Sequence, residues 1–264
     1  MSHPLRMLLV ATALAGIAGG ASATPSERFD LANWKLTLPL VDEEDGDALE
    51  IRNLLGYENG EHFFVGPDGA MVFAASVDGA TTEGSRYPRS ELREMIGGEE
   101  AAWTLAEGGT LSATLKVDEV PRRHNGTEGR IIVGQIHGEN DELVRLYYEY
   151  GTVYFANDQA GPDDEEQEFP LTNTAGAFPD IDIGETFSYL IDARGDTLTV
   201  EIHADGDVYA SVTEVNDVWQ EDRFYFKAGV YLGVNGRTGT GRGQVSFYAL
   251  DLSHMPGEGR NGLR

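Results

Sequence analysis

Three short stretches of the chain alternate polar with apolar residues, and their polar members form one chemically coherent set. The stretches are Y-P-R-S-E-L-R-E-M at 87–95, V-G-Q-I-H-G at 133–138 and F-Y-F-K-A-G-V-Y at 224–231. In a strand, side chains point to opposite faces with period two. Arg89, Glu91 and Arg93 then share a face, as do Gln135 and His137, and as do Tyr225, Lys227 and Tyr231. Leu92, Ile136, Phe226, Ala228 and Val230 fall between them and are expected to face a core, and Glu94 points away from the polar face. The result is a sheet whose outer face carries two arginines, a lysine, an amide, an imidazole and phenols. Such a surface suits a polyanion.

Several chemistries are excluded by what the chain lacks. There is no cysteine. No histidine pair has the spacing of zinc ligands. Asp-Gly-Asp at 45–47 and 205–207 does not continue as an EF-hand loop and reads as turns. No metal or other cofactor is therefore expected. A glycosidase needs two facing carboxyl groups, whereas the polar face offers Glu91 alone, and no nucleophile elbow is present for a serine triad. What remains is a base, a proton donor and a cationic or amide clamp. That set suits β-elimination from a uronate. Neutralising the sugar carboxylate acidifies its C5 proton, a base removes the proton, and a phenol protonates the departing O4 oxygen. Histidine, with an ordinary pKa of about 6.5, is a competent base, and tyrosine, near 10, can act as the acid when placed close to the leaving oxygen.

R-S-E-L-R, Q-I-H and Y-F-K-A-G-V-Y resemble the three signature motifs of the polysaccharide lyase family 7 alginate lyases, and N-W-K-L-T-L-P at 33–39 resembles the start of that catalytic domain. The resemblance implies an all-β jelly roll with a long groove on its concave sheet and endolytic cleavage of alginate without a metal. It places Gln135 and Arg89 at the carboxylate-neutralising positions, His137 at the base, and Tyr231 at the acid that can also serve as base. Glu91, Arg93, Lys227 and Tyr225 fall at groove-lining, substrate-binding positions. Ile136 at the centre of Q-I-H is associated in the family with acceptance of guluronate-containing blocks. The chain departs from the pattern after Tyr231, where Leu232-Gly233 stands in place of the Asn-Gln of many relatives.

The elements that must position these residues are strands. Alternating runs are expected at 33–38, 70–76, 87–95, 110–117, 130–137, 143–150, 152–156, 186–192, 196–203, 207–213, 224–232 and 243–252. Turn signals separate them, among them Asp68-Gly69, Asn125-Gly126 and Asp205-Gly206. No helical periodicity and no internal repeat interrupts the series, which predicts one all-β domain, a two-sheet sandwich or jelly roll, over 24–264. Four segments read as loops: an acidic surface turn at 42–50, a connection at 122–129 placed to cover a groove, an acidic stretch at 157–168 and a Gly-rich run at 233–243. The last lacks the lysine and the following helix of a phosphate-binding loop. His62, His124, His203 and His254 read as structural or solvated, and Tyr147, Tyr148 and Tyr150 as half-buried strand tyrosines.

Residues 1–23 have the layout of a secretory signal peptide, with Arg6, an apolar run from Met7 to Ile17, and Ala21-Ser22-Ala23 as the cleavage site. A secreted or periplasmic, monomeric product without a membrane anchor is expected. With 45 acidic and 19 basic residues the formal net charge is −26, which argues against nucleic acid as a partner. It also opposes an anionic polysaccharide at long range, so the local cationic cluster must overcome the global field. Two other functions fit parts of the pattern: a non-catalytic carbohydrate-binding jelly roll, and a lyase of another polyuronate such as glucuronan.

Overall fold

Alternation of apolar and polar residues becomes strand pairing along the whole chain. The computed structural model describes residues 23–161 and 165–254. The expected signal segment lies outside them but for Ala23, as does the middle of the acidic 157–168 stretch. In chain order the strands are β1 (Trp34–Val41), β2 (Ala48–Ile51), β3 (Phe63–Val65), β4 (Met71–Ser76), β5 (Arg89–Ile96), β6 (Glu99–Glu100), β7 (Gly109–Glu119), β8 (Arg122–Arg123), β9 (Ile131–His137), β10 (Glu142–Glu149), β11 (Thr152–Asn157), β12 (Gln167–Pro170), β13 (Thr186–Arg194), β14 (Thr197–Ala204), β15 (Asp207–Glu214), β16 (Tyr225–Leu232), β17 (Gly239–Thr240) and β18 (Arg242–Ser253).

All pairings are antiparallel. One sheet runs β12-β11-β10-β9-β16-β5-β1-β2, with β6 beside β5, and the other runs β15-β14-β13-β7-β18-β4-β3. The short β8 and β17 pair with each other and tie the 122–129 connection to the Gly-rich loop. Leu36, Leu92, Ile136, Phe226, Ala228 and Val230 from the first sheet meet Phe73, Leu115, Tyr189, Val245 and Phe247 from the second in one buried core. Burial of this apolar interior holds the two sheets face to face.

All twelve expected strands are present. The structure adds six short ones, β2, β3, β6, β8, β12 and β17, of two to four residues each. Four of these, β2, β8, β12 and β17, fall in segments read from the sequence as loops. The acidic turn expected over 42–50 ends in β2, which pairs with β1 and brings Glu50 opposite Thr37. The 157–168 stretch ends at the start of β12. β6, outside all four of those segments, brings Glu100 toward the polar face of β5. Strands this short hold too few residues to display a period.

Strict alternation also breaks at several irregularities, and one of them lies in the site. β9 pairs Gly134 with Leu146 but Ile132 with Tyr147, so it carries one extra residue there against β10. Across β16, Gly134 pairs with Ala228 and Ile132 with Tyr231. This bulge lets Ile132 join Tyr147, Tyr154 and Tyr231 in a small cluster apart from the main core, while Val133 stays in that core. Gly134 lies so close to the Tyr189 hydroxyl that a Cβ would sit 2.9 Å from it.

Candidate active site

Strand register turns the three motifs into rows that cross the sheet. β9, β16, β5 and β1 are consecutive neighbours, about 4.8 Å apart in such sheets. One row reads Arg145, Gln135, Lys227, Arg93, Lys35 across β10, β9, β16, β5 and β1. A second places Glu142, His137 and Tyr225 side by side. A third pairs Tyr231 with Arg89. Between the basic row and the Tyr231 row, Gly229 lies opposite Glu91.

Glu91 organises the cations. It is 1% exposed and receives Lys227 Nζ at 2.7 Å, Arg89 Nη1 at 3.2 Å and Gln135 Nε2 at 2.5 Å. Burial works to raise its pKa, but Lys227 and Arg89 outweigh that and hold the carboxyl below its usual range. Burial, and then repulsion from Arg89, push Lys227 down to about 8. Glu91 and Gln135 thus lie beneath the floor of the groove, which differs from the groove-lining position expected for Glu91 and from the carboxylate-contacting position expected for Gln135. Gln135 is fully buried, and its Oε1 has no hydrogen-bond partner among the described residues.

His137 and Tyr231 reach the open side. A cavity of about 570 Å³ is lined by both, together with Arg89, Arg93, Tyr225, Lys227, Lys35, Glu142 and Ser85. His137 Nδ1 lies 2.7 Å from the Gly138 carbonyl. A carbonyl only accepts, so the ring proton sits on Nδ1 and the Nε2 lone pair is left for a substrate proton. The ring stacks on Tyr225 at 5.0 Å, and Tyr225 lies under the Arg93 guanidinium at 3.8 Å. Burial, and then Lys227, push the His137 pKa down to about 4, so the imidazole is neutral near pH 7. Glu142 Oε1 stands 3.5 Å from Nε2.

The phenol of Tyr231 is held by a residue that no motif contains. Ser85 Oγ lies 3.0 Å from the Tyr231 hydroxyl and accepts from Arg89 Nη2 at 2.9 Å. The Arg89 guanidinium also covers the Tyr231 ring at 3.8 Å. At the far side of the cavity Lys35 bridges Glu50 at 2.6 Å and Glu100 at 2.7 Å, and Arg93 meets Glu100 at 2.8 Å. Lys35 and Thr37 carried a usable signal, since they alternate with Trp34, Leu36 and Leu38. Ser85, Glu100 and Glu142 carried none, because each reaches the site from a loop, a two-residue strand or a strand end.

The reverse face of β5 is also charged. Glu94 is fully buried there and accepts from Trp103 Nε1 at 3.0 Å and from the Phe226 backbone N–H at 2.9 Å, with His254 Nε2 at 2.6 Å. Its orientation away from the groove is the one expected from alternation. Among the described residues, no cluster of three or more potential ligands is arranged for a metal ion, and no helix is long and apolar enough to cross a membrane.

An antiparallel sheet bearing a cationic row, a neutral imidazole and a supported phenol over an open groove defines a β-sandwich enzyme acting on an anionic polysaccharide. Comparison with known proteins narrows the class. The family model for alginate lyase matches residues 29–254. An alginate lyase of Klebsiella pneumoniae is 35% identical over 89% of this chain and 92% of its own length. The crystal structure of the alginate lyase from that organism superposes with a TM-score of 0.78 at 33% identity, covering 89% of this chain and 99% of that one. An alginate lyase from Pseudomonas aeruginosa gives 0.71 at 30% identity, covering 86% and 100%. A family 7 alginate lyase solved with a GGMG substrate, after one histidine was changed to asparagine and one tyrosine to phenylalanine, gives 0.70 at 28% identity, covering 88% and 97%. The chain belongs to the alginate lyases of polysaccharide lyase family 7.

Proposed function

We propose that this enzyme is an exported monomer with one catalytic domain over 24–264, which cleaves alginate endolytically by β-elimination and leans toward guluronate-containing blocks. The observation that carries the mechanism is the cavity in which His137, with a free Nε2 lone pair, and the Ser85-supported phenol of Tyr231 face the same space beside Arg89 and Lys227. Arg89, which lines the cavity, neutralises the sugar carboxylate and stabilises charge that develops as C5 loses its proton, while Gln135 acts from beneath the floor through Glu91. His137 Nε2 takes that proton, the electron pair forms the C4–C5 double bond, the C4–O4 bond breaks, and the Tyr231 hydroxyl protonates O4. In guluronate the C5 proton and O4 lie on opposite faces of the ring, so base and acid must be different groups. In mannuronate they share a face, and Tyr231 serves both steps. Ile136, inside Q-I-H, and the GGMG bound to the family relative support the guluronate lean.

Ultraviolet absorbance of the unsaturated product tests the reading directly. Absorbance should rise on alginate and continue with chelator present. Tyr231→Phe should lower turnover about 10²- to 10⁴-fold on every block type. His137→Ala should reduce cleavage of polyguluronate more than that of polymannuronate. Equal losses on the two polymers would overturn the division of labour, and loss of activity in chelator restored by calcium would overturn metal-free elimination.

A further inference from the structure

A second cavity, of about 590 Å³, meets the catalytic one at Ser85 and is lined by Val77, Asp78, Thr81, Arg86, Asn235 and Arg237 among others. Its volume falls within the range of small-ligand sites, roughly 300–1,000 Å³. Two loops build it, and they are tied together. Asn235 Nδ2 donates to the Arg86 carbonyl at 2.9 Å, and the Gly236 backbone N–H donates to the Val77 carbonyl at 2.8 Å. The second loop is the Gly-rich segment that follows Tyr231.

Two features set this cavity apart. In a chain with 45 acidic and 19 basic residues, most groove cations are already paired with carboxylates: Lys35, Arg89, Arg93, Arg145 and Lys227 all are. The guanidinium groups of Arg86 and Arg237 have neither an ion pair nor a side-chain hydrogen bond among the described residues, and both residues line the one cavity. Asp78 is the single acidic residue lining it, and its carboxylate packs over Gly236. The cavity therefore holds a net positive charge with unengaged donors, next to a site whose substrate carries a carboxylate on every sugar.

We propose that Arg86 and Arg237 form a distal subsite that grips uronate carboxylates of the polymer beyond the sugars at the scissile bond. This rests on reading the His137–Tyr231 groove as the place of cleavage. A contact made equally in ground and transition states lowers KM and leaves kcat alone. Short oligomers that fill only the catalytic cavity do not reach the subsite. Asp78 opposes an anion there, so its neutralisation should tighten binding.

The test compares wild type, the Arg86→Ala/Arg237→Ala double variant and Asp78→Asn on polymeric alginate and on size-graded oligouronates. The double variant should raise KM on polymer about five- to twentyfold, as the loss of two partly exposed ion pairs would, with kcat unchanged. On the shortest cleavable oligomers both constants should equal those of wild type, which also shows that the variant is folded. Asp78→Asn should lower KM on polymer only. An unchanged KM on polymer, or an equal rise on polymer and shortest oligomer, overturns the subsite. Tyr231→Phe in the same assay separates the two claims, since full activity there would displace the cleavage site whatever the arginines do.

Discussion

Lys227 is the residue whose environment decides how the site responds to pH. It shares Glu91 with Arg89 in a buried space, and the balance leaves its pKa at about 8. Its charge is present below that value and lost above it. His137 works in the opposite sense, since it must be neutral to accept a proton, and it is neutral above about 4. The profile of kcat/KM reports groups of the free enzyme. It should therefore fall on the acid side near pH 4 and on the alkaline side near pH 8. Lys227→Arg keeps the charge at all these pH values and should remove the alkaline fall. Glu91→Gln withdraws the anion that supports the ammonium and should move that fall to lower pH. An alkaline limb that stays put in both variants would detach it from Lys227.

At the scale of elements, β16 and β5 set the spacing of the chemistry, and Gly229 sets the fit between them. Its φ of 144° is one that side chains of L-residues rarely adopt, and a Cβ there would lie 2.5 Å from the Ser90 carbonyl oxygen and 2.8 Å from Glu91 Cα. Gly229→Ala should lower stability by about 2 kcal/mol or more and reduce kcat together with it, because relief requires β16 to move off β5. Thermal unfolding and initial rates measure both, and a wild-type Tm would refute the close-approach argument. Period two made these strands legible in the sequence, with the polar faces of β5, β9 and β16 and the inward turn of Glu94. The bulge at Val133 and Gly134 was not legible, because an extra residue in one strand is defined only by its partners. It is why Ile132 and Gln135, three positions apart, both lie on the groove side of the sheet rather than in the main core. The carboxylates from β2 and β6 were hidden for a related reason: pairing, rather than any local pattern, makes those segments strands.

For the whole molecule, a formal net charge of −26 surrounds a groove that must attract a polyanion. The Debye length shrinks from roughly 30 Å at 0.01 M salt to about 8 Å at 0.15 M. Added salt thus screens the open acidic surface first and the partly enclosed cationic row later. kcat/KM on alginate should rise from low salt to a few tenths molar and then fall. Initial rates against NaCl at subsaturating polymer check this, and a monotonic fall from the lowest salt would show that the groove dominates throughout.

The pairing of Lys35 with Glu50 and Glu100, and of Arg93 with Glu100, gives the groove the character of an ion exchanger. Its fixed cations arrive already loaded with the protein's own carboxylates, so an incoming uronate replaces or joins a resident anion instead of meeting a bare charge. The electrostatic gain per sugar is small, and so is the loss when that sugar leaves and the resident group returns. Affinity for the polymer then rests on many weak contacts rather than on any one sugar.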